Sequence, residues 1–294
     1  MSIIKNKKYK IFGMIVESEI PCVELEPSTG EPEVFIRIGK IPAGFQNTGS
    51  IRDQFFLPVK DVADFLITGG REIIIEPHQD VHEEVIRTYL LGSAFGALIH
   101  QRGLLPLHGS AITKGDFAIM ISGGSGTGKS TLANAFINKD YLMLTDDVCV
   151  ITLDHNLPFV HPGYPQMKLW KNTTDFFDID VKKLRKIHPE ADKYAVPVGS
   201  HYFYRSVPLK FMFILDENKN ASLEIIKLKG IEKFDAIMNN IYRTHFISQM
   251  NIQESNFKTV SAVAGQIEVF SISRPDDLTL LDEMMKRIII STNS

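Results

Sequence analysis

A chain of 294 residues has room for one large or two modest domains and for a sizeable core. Its formal net charge of −3 gives no reason to expect a nucleic-acid-binding surface, so no nucleic-acid partner is expected. Cys22 and Cys149 are too few and too far apart for a disulfide framework. Cys149 lies in the apolar run Val148-Cys-Val-Ile-Thr152 and reads as a buried free thiol in a reducing, cytoplasmic setting.

The chain starts Met1-Ser-Ile-Ile-Lys-Asn-Lys-Lys8, basic but with no apolar run behind it, so no signal peptide is expected. Residues 1 to about 80 read as β-rich. Lys10-Ile-Phe-Gly-Met-Ile-Val16, Glu33-Val-Phe-Ile-Arg-Ile-Gly39 and Arg71-Glu-Ile-Ile-Ile-Glu76 are β-branched runs between Pro, Gly and Ser turns. From Val81 to Gln101 the period turns helical, with Val85, Tyr89, Leu90, Phe95 and Leu98 on one face. The longest apolar stretch, Tyr89 to Ile99, is too short to span a bilayer, and no membrane partner is expected. The division predicted is a β-rich region over 1–80 and an α/β domain over 81–294.

Beyond Leu104, Ala111-Ile-Thr and Asp116 to Ile121 predict a hairpin about Lys114-Gly115. The apolar run Phe117-Ala-Ile-Met-Ile-Ser122 ends in Gly123, Gly124, Ser125, Gly126, Thr127, Gly128, Lys129, Ser130 and Thr131. Helical spacing follows in Thr131-Leu-Ala-Asn-Ala-Phe-Ile137. This is a G-x-x-x-x-G-K-S phosphate-binding loop in its required strand–loop–helix context. Its glycines turn backbone N–H groups around a polyphosphate, Lys129 supplies a mobile positive charge, and the Ser130 hydroxyl suits Mg²⁺.

Tyr141-Leu-Met-Leu-Thr145 predicts the next strand, ending in Asp146-Asp147. A carboxylate at that place normally holds Mg²⁺ directly or through water. The second either accepts a proton from an attacking hydroxyl or serves the turn. His108, in Leu105-Pro-Leu-His-Gly-Ser-Ala111, reads by itself as structural or functional. Residues 156–208 show few regular signals and many Pro, His and Tyr, the profile of a binding loop. Phe211 to Leu215 and Leu223 to Leu228 predict strands. Ile231 to Ile241 and Leu278 to Ile290 predict amphipathic helices.

His108-Gly, a loop opening 15 residues later and Asp-Asp 16 residues after the loop serine resemble the catalytic domain of HPr kinase/phosphorylase. The related ATP-dependent phosphoenolpyruvate carboxykinases share the general arrangement. The likeness covers about Leu105 to Val150. It implies an α/β, P-loop kinase core of the HPr kinase/phosphoenolpyruvate carboxykinase type behind a β-rich N-terminal region, working with ATP and Mg²⁺. It also implies an active-site role for His108, Asp147 as proton acceptor, and Ser130 on the metal with Asp146 beside it. Two departures stand out. Gly124 replaces the Asp usual in that family's loop, and no Met-Glu-Ile-Arg-Gly signature occurs. The corresponding stretch is His161-Pro-Gly-Tyr-Pro-Gln-Met-Lys-Leu-Trp170, without an acid.

Pro-Gly-Tyr-Pro followed by a basic residue and Leu-Trp is similar to the HPr-kinase-like enzymes encoded beside lasso-peptide precursors. Tyr9-Lys-Ile-Phe-Gly-Met14 and Asn240-Ile-Tyr-Arg243 share that look. The likeness implies a ribosomal peptide precursor as partner, phosphorylated on its C-terminal serine. Tyr164 and Trp170 would then supply flat surface, and Lys168, Lys193, Arg205 and Arg243 would be the charges for an acidic end or a phosphate. Three alternatives stay open: an HPr-type serine kinase/phosphorylase, a small-metabolite kinase, and a nucleotide-dependent switch or ATPase. Oligomeric state is open as well.

Overall fold

The computed structural model describes residues 7–42, 44–45, 53–188, 191–217, 222–275 and 277–293. Met1–Asn6, where the basic N-terminal stretch begins, lies outside them. The chain forms two compact units, Met1–Pro106 with Tyr242–Thr259, and Leu107–Ile241 with Val260–Ser294. This division differs from one near residue 80. Residues that read as the opening helix of the second domain belong to the first unit, and a segment from late in the chain returns to it.

The first unit is built on β1 (Lys7–Ile11), β2 (Met14–Ser18), β3 (Glu26–Pro27), β4 (Val34–Ile38), β5 (Gln54–Val59), β6 (Ala63–Thr68) and β7 (Glu72–Pro77). Their order in the sheet is β3-β1-β2-β4-β7-β6-β5. The run read as one strand over Lys10–Val16 is a tight hairpin instead. Phe12 and Gly13 both take positive φ, 51° and 79°, the backbone of a two-residue turn whose twist suits the flanking strands. Helices α1 (Glu83–Tyr89) and α2 (Phe95–Gln101), joined by a π-helical turn at Leu90–Ala94, bury Phe95, Leu98 and Ile99. Gln101 ties α2 to the sheet, its Nε2 donating to the Ile67 carbonyl at 3.0 Å. Tyr242–Thr259 completes the core: the Phe246 ring lies 4.5 Å from that of Phe55. The Arg87–Glu24 ion pair, 2.9 Å apart, is almost wholly buried.

The second unit carries β8 (Leu105–Thr113), β9 (Ala118–Gly123), α3 (Lys129–Ile137), β10 (Leu142–Thr145), β11 (Val148–Asp154), β12 (Leu157–Val160), β13 (Gln166–Trp170) and α4 (Lys171–Phe176). It continues with β14 (Lys186–His188), β15 (Ala191–Pro197), β16 (Val207–Glu217), β17 (Glu224–Lys227) and α5 (Gly230–Met238). Helix α6 (His245–Gln249) and the start of α7 (Gln253–Gln266) fall in the segment that returns to the first unit, and the second unit resumes at Val260 and ends with β18 (Glu268–Arg274) and α8 (Leu281–Thr292). Helices α6 and α7 had no counterpart in the sequence reading.

The main sheet runs β10-β8-β11-β12-β16-β18-β17, with β9 paired to β8 and β16. The hairpin expected about Lys114-Gly115 is present as β8–β9, with Thr113 opposite Ala118. Strands β9, β16 and β18 are parallel, so their carboxyl ends, Gly123, Glu217 and Arg274, share one edge. In such a sheet that edge is where ligands are met. Residues 156–208 are more regular than expected. They include a second sheet, ordered β13-β15-β14, whose inward residues Met167, Leu169, Tyr194 and Val196 join one core with Phe136, Phe213 and Met284.

Both cysteines are buried free thiols, in different units. Burial pushes Cys22 up to about 12 and raises Cys149 well above the usual thiol range, so neither is a nucleophile at neutral pH. Among the described residues no helix is long and apolar enough to cross a membrane.

Candidate active site

Strand β9 ends at Gly123, the glycine-rich loop follows, and α3 begins at Lys129. Gly128, the residue before the helix, takes a left-handed φ of 89°. That backbone favours glycine, and a Cβ there would also stand 2.8 Å from Arg274 Nη2, displacing a guanidinium that braces the loop. The loop is fixed from inside. Lys129 is buried and its Nζ donates to the Gly124 carbonyl at 2.6 Å; Thr127 Oγ1 donates to the same oxygen at 2.9 Å. Arg274, buried at the end of β18, donates from Nη2 to the Thr127 carbonyl at 2.6 Å.

Asp146 and Asp147 occupy the turn between β10 and β11. Thr145 pairs with Ala111, which brings Asp146 beside the next residue of β8. Ser110 Oγ donates to Asp146 Oδ1 at 2.6 Å, Ser130 Oγ to the same oxygen at 2.8 Å, and the Lys168 backbone N–H to Oδ2 at 2.8 Å. His108 and Ser110, two residues apart on one strand, face the same side, and both reach the acidic pair. His108 Nδ1 donates to the Asp147 carbonyl at 3.0 Å and lies 3.5 Å from its Oδ1. Lys168 Nζ donates to Asp147 Oδ2 at 2.6 Å. Asp147 holds a φ of 76°, a left-handed conformation that Asp tolerates better than most residues.

Charge in the cluster follows from these contacts. Burial pushes the Asp147 carboxyl up, but the Lys168 ammonium, with His108 and Lys193 behind it, outweighs burial and brings it down to about 2. Burial lowers the His108 pKa, the Lys129 charge lowers it further, and Asp147 pulls the other way. The imidazole is therefore neutral at pH 7. Burial also lowers Lys129, against the pull of Asp146 and Asp147.

One open cavity is lined by Ser125, Gly126 and Gly128 to Thr131 of the loop, by His108, Asp146 and Asp147, and by Lys168, Leu169, Trp170 and Lys193. The structure thus brings together His108, Lys129, Ser130, Asp146 and Asp147. It places other candidates elsewhere. The Arg205 guanidinium lies over the Phe203 ring, and that of Arg243, in the first unit, over Tyr242. Tyr164 is 7% exposed and belongs to the core, whereas Trp170 is 42% exposed on the cavity wall.

Three supporting residues escaped the sequence reading as such. Ser110 could have been found from its place two residues after His108. Arg274 gives no local signal, because only the parallel register of β18 brings it to the loop. Asn240 stood in the Asn-Ile-Tyr-Arg likeness but without a role; its Oδ1 accepts from the Gly123 N–H at 3.0 Å and from Ser122 Oγ at 2.9 Å. Asn240→Ala strands that N–H at the root of the loop and is expected to cost about 1–3 kcal/mol, read by urea unfolding. A loss below about 0.5 kcal/mol would show that the loop does not depend on it.

Among the described residues no group of three His, Cys, Asp or Glu side chains is placed to hold a metal ion. A cation here would draw on a ligand's own oxygens as well. Ser130 Oγ and Asp146 Oδ1, 2.8 Å apart, suit Mg²⁺. Hard oxygen donors at roughly 2.1 Å from an octahedral ion stand about 3 Å apart when adjacent.

No family model matches the chain, and no curated protein matches it. Among solved structures it is similar to the Hpr(Ser) kinase/phosphatase from Coxiella burnetii, at 10% identity and a TM-score of 0.35. The match covers 64% of this chain and 92% of that one.

Proposed function

We propose that this chain is a Mg²⁺-dependent kinase that moves the γ-phosphoryl group of ATP to a serine hydroxyl, the acceptor being the C-terminal serine of a ribosomal peptide precursor of the lasso type. The observation that carries the reading is the convergence of Lys129, Ser130, Asp146 and Asp147 on one cavity at the start of α3. Loop N–H groups and the Lys129 ammonium would bind the β- and γ-phosphates and stabilise charge that grows on them during transfer. Ser130 and Asp146 would hold Mg²⁺, which supplies neutralisation of phosphate charge when bound. Asp147 would receive the hydroxyl proton as the serine oxygen bonds to the γ-phosphorus. The bond from that phosphorus to the bridging oxygen breaks, and ADP leaves with its electron pair.

Lys168 holds the Asp147 carboxyl below the usual carboxylate range, and a loose transition state asks little activation of the nucleophile. His108, neutral and bonded to the Asp147 carbonyl, would fix the turn that aims the carboxylate. The acceptor assignment rests on the Pro-Gly-Tyr-Pro…Lys-Leu-Trp likeness and on Trp170, whose exposed indole offers a peptide apolar surface at the cavity wall. Mass spectrometry of reactions with ATP, Mg²⁺ and either a precursor peptide ending in serine or purified HPr tests it. One phosphate is expected on the peptide and none on HPr; phosphate on HPr alone would return the protein to the HPr kinase pattern. ATP consumption with water as the sole acceptor would make it an ATPase.

A further inference from the structure

Three ammonium groups line the cavity, and two have work within the protein. Lys129 is bonded to the loop carbonyl of Gly124 and Lys168 to the Asp147 carboxylate. The third, Lys193, makes no ion pair among the described residues. Its Nζ lies over the Trp170 ring, 5.5 Å from the centroid. The two residues are cross-strand partners, Trp170 on β13 opposite Lys193 on β15, so one wall carries an aromatic plane with a cation resting on it. The wall is joined to the catalytic pair, because β13 also supplies the Lys168 contacts to Asp146 and Asp147. The Lys193 charge is felt by Asp147 and Lys129 alike.

We infer that Lys193 and Trp170 form an anion subsite for the acceptor, so that the hydroxyl taking the phosphate carries a carboxylate a few bonds away. This rests on the kinase reading above. A C-terminal serine has that chemistry, with its free carboxylate and its hydroxyl on the same residue. A hydroxyl handed to Asp147 therefore brings the carboxylate within reach of the neighbouring wall. Phosphate oxygens are the competing ligand, but they gain little from an exposed indole, whereas the last residues of a peptide can lie on it while the ammonium takes the terminus. Lys168, named with Lys193 among the charges that the sequence offers for an acidic end, is already committed to Asp147.

The test uses the full chain with two synthetic precursor peptides ending in serine, one with a free carboxylate and one amidated, plus free L-serine to separate a peptide from a small hydroxy acid. For the wild type, amidation is expected to lower kcat/KM by about 10- to 100-fold, the range of one charge-assisted hydrogen bond, mainly through KM. Lys193→Gln is expected to bring the two peptides within about threefold of each other. Lys193→Arg should restore most of the preference, which a merely structural role would not do. Thermal unfolding of both variants guards against a folding defect. Equal use of the two peptides by the wild type overturns the subsite while leaving the kinase reading intact. So does a Lys193→Gln variant that keeps the preference and instead raises KM for ATP. No phosphate on any of the three acceptors overturns the kinase reading and the subsite together. Faster transfer to free serine than to peptide keeps the subsite and replaces the peptide by a small hydroxy acid.

Discussion

Lys129→Ala is expected to lower phosphoryl transfer by about 10²- to 10³-fold while the chain keeps its fold. The ammonium is buried at the first position of α3, on the loop carbonyl of Gly124, where a triphosphate would replace that carbonyl as its partner. Charge held in a site with little water is worth far more than at a surface, and here it opposes charge growing on the transferred group. Alanine suits the first turn of a helix, and Thr127 still serves the Gly124 oxygen, so thermal unfolding should change little. Initial rates, binding of a fluorescent ATP analogue and circular dichroism, taken together, check it. A variant keeping more than about a tenth of wild-type transfer would show that this loop is not the catalytic nucleotide site.

The acidic pair should divide its work. Asp147→Asn keeps the side chain's shape but removes the proton acceptor, and transfer should fall by about 10²- to 10⁴-fold with Mg-nucleotide binding retained. Asp146→Asn should raise the Mg²⁺ concentration needed for half-maximal rate. It should also lower stability, because Ser110, Ser130 and the Lys168 N–H all donate to that carboxylate and an amide nitrogen cannot accept from them. Metal and nucleotide titrations of both variants, with unfolding curves, separate the two roles. Indistinguishable profiles would mean that the residues share a single function; exchanged profiles would mean that base and metal ligand are the other way round.

The parts of the site that lie within one local motif could be read from sequence. Gly123 to Thr131 needs only strand, loop and helix in succession, and the distance from His108 to Asp147 is bridged by a hairpin and one further strand. The boundaries of the fold were less legible. Phe12-Gly13 interrupts what periodicity shows as a single strand, because positive φ at two residues leaves no mark in hydrophobic pattern. The β13-β15-β14 sheet was hidden among prolines and histidines, with two of its members only five and three residues long. Arg274 and Asn240 were beyond local reading: each reaches the loop through parallel or long-range pairing set by the whole sheet. Tyr164 and Trp170, six residues apart, looked equivalent until burial divided them into core and cavity wall.

The split path of the chain bears on how the protein is made. As residues leave the ribosome, the β-rich strands of the first unit appear before the second unit, yet the segment that completes their core, with Phe246 against Phe55 and the Tyr242 carbonyl accepting from His100 Nε2 at 3.0 Å, is synthesised only after all of β8 to α5. The second unit in turn waits for β18, whose register with β16 brings Arg274 under the loop. Domains usually mature in order of synthesis; here the first unit must wait for a segment made after most of the second. Until that segment emerges Phe55 lacks its Phe246 partner, and in this interval a chaperone would find apolar surface of the early strands to hold.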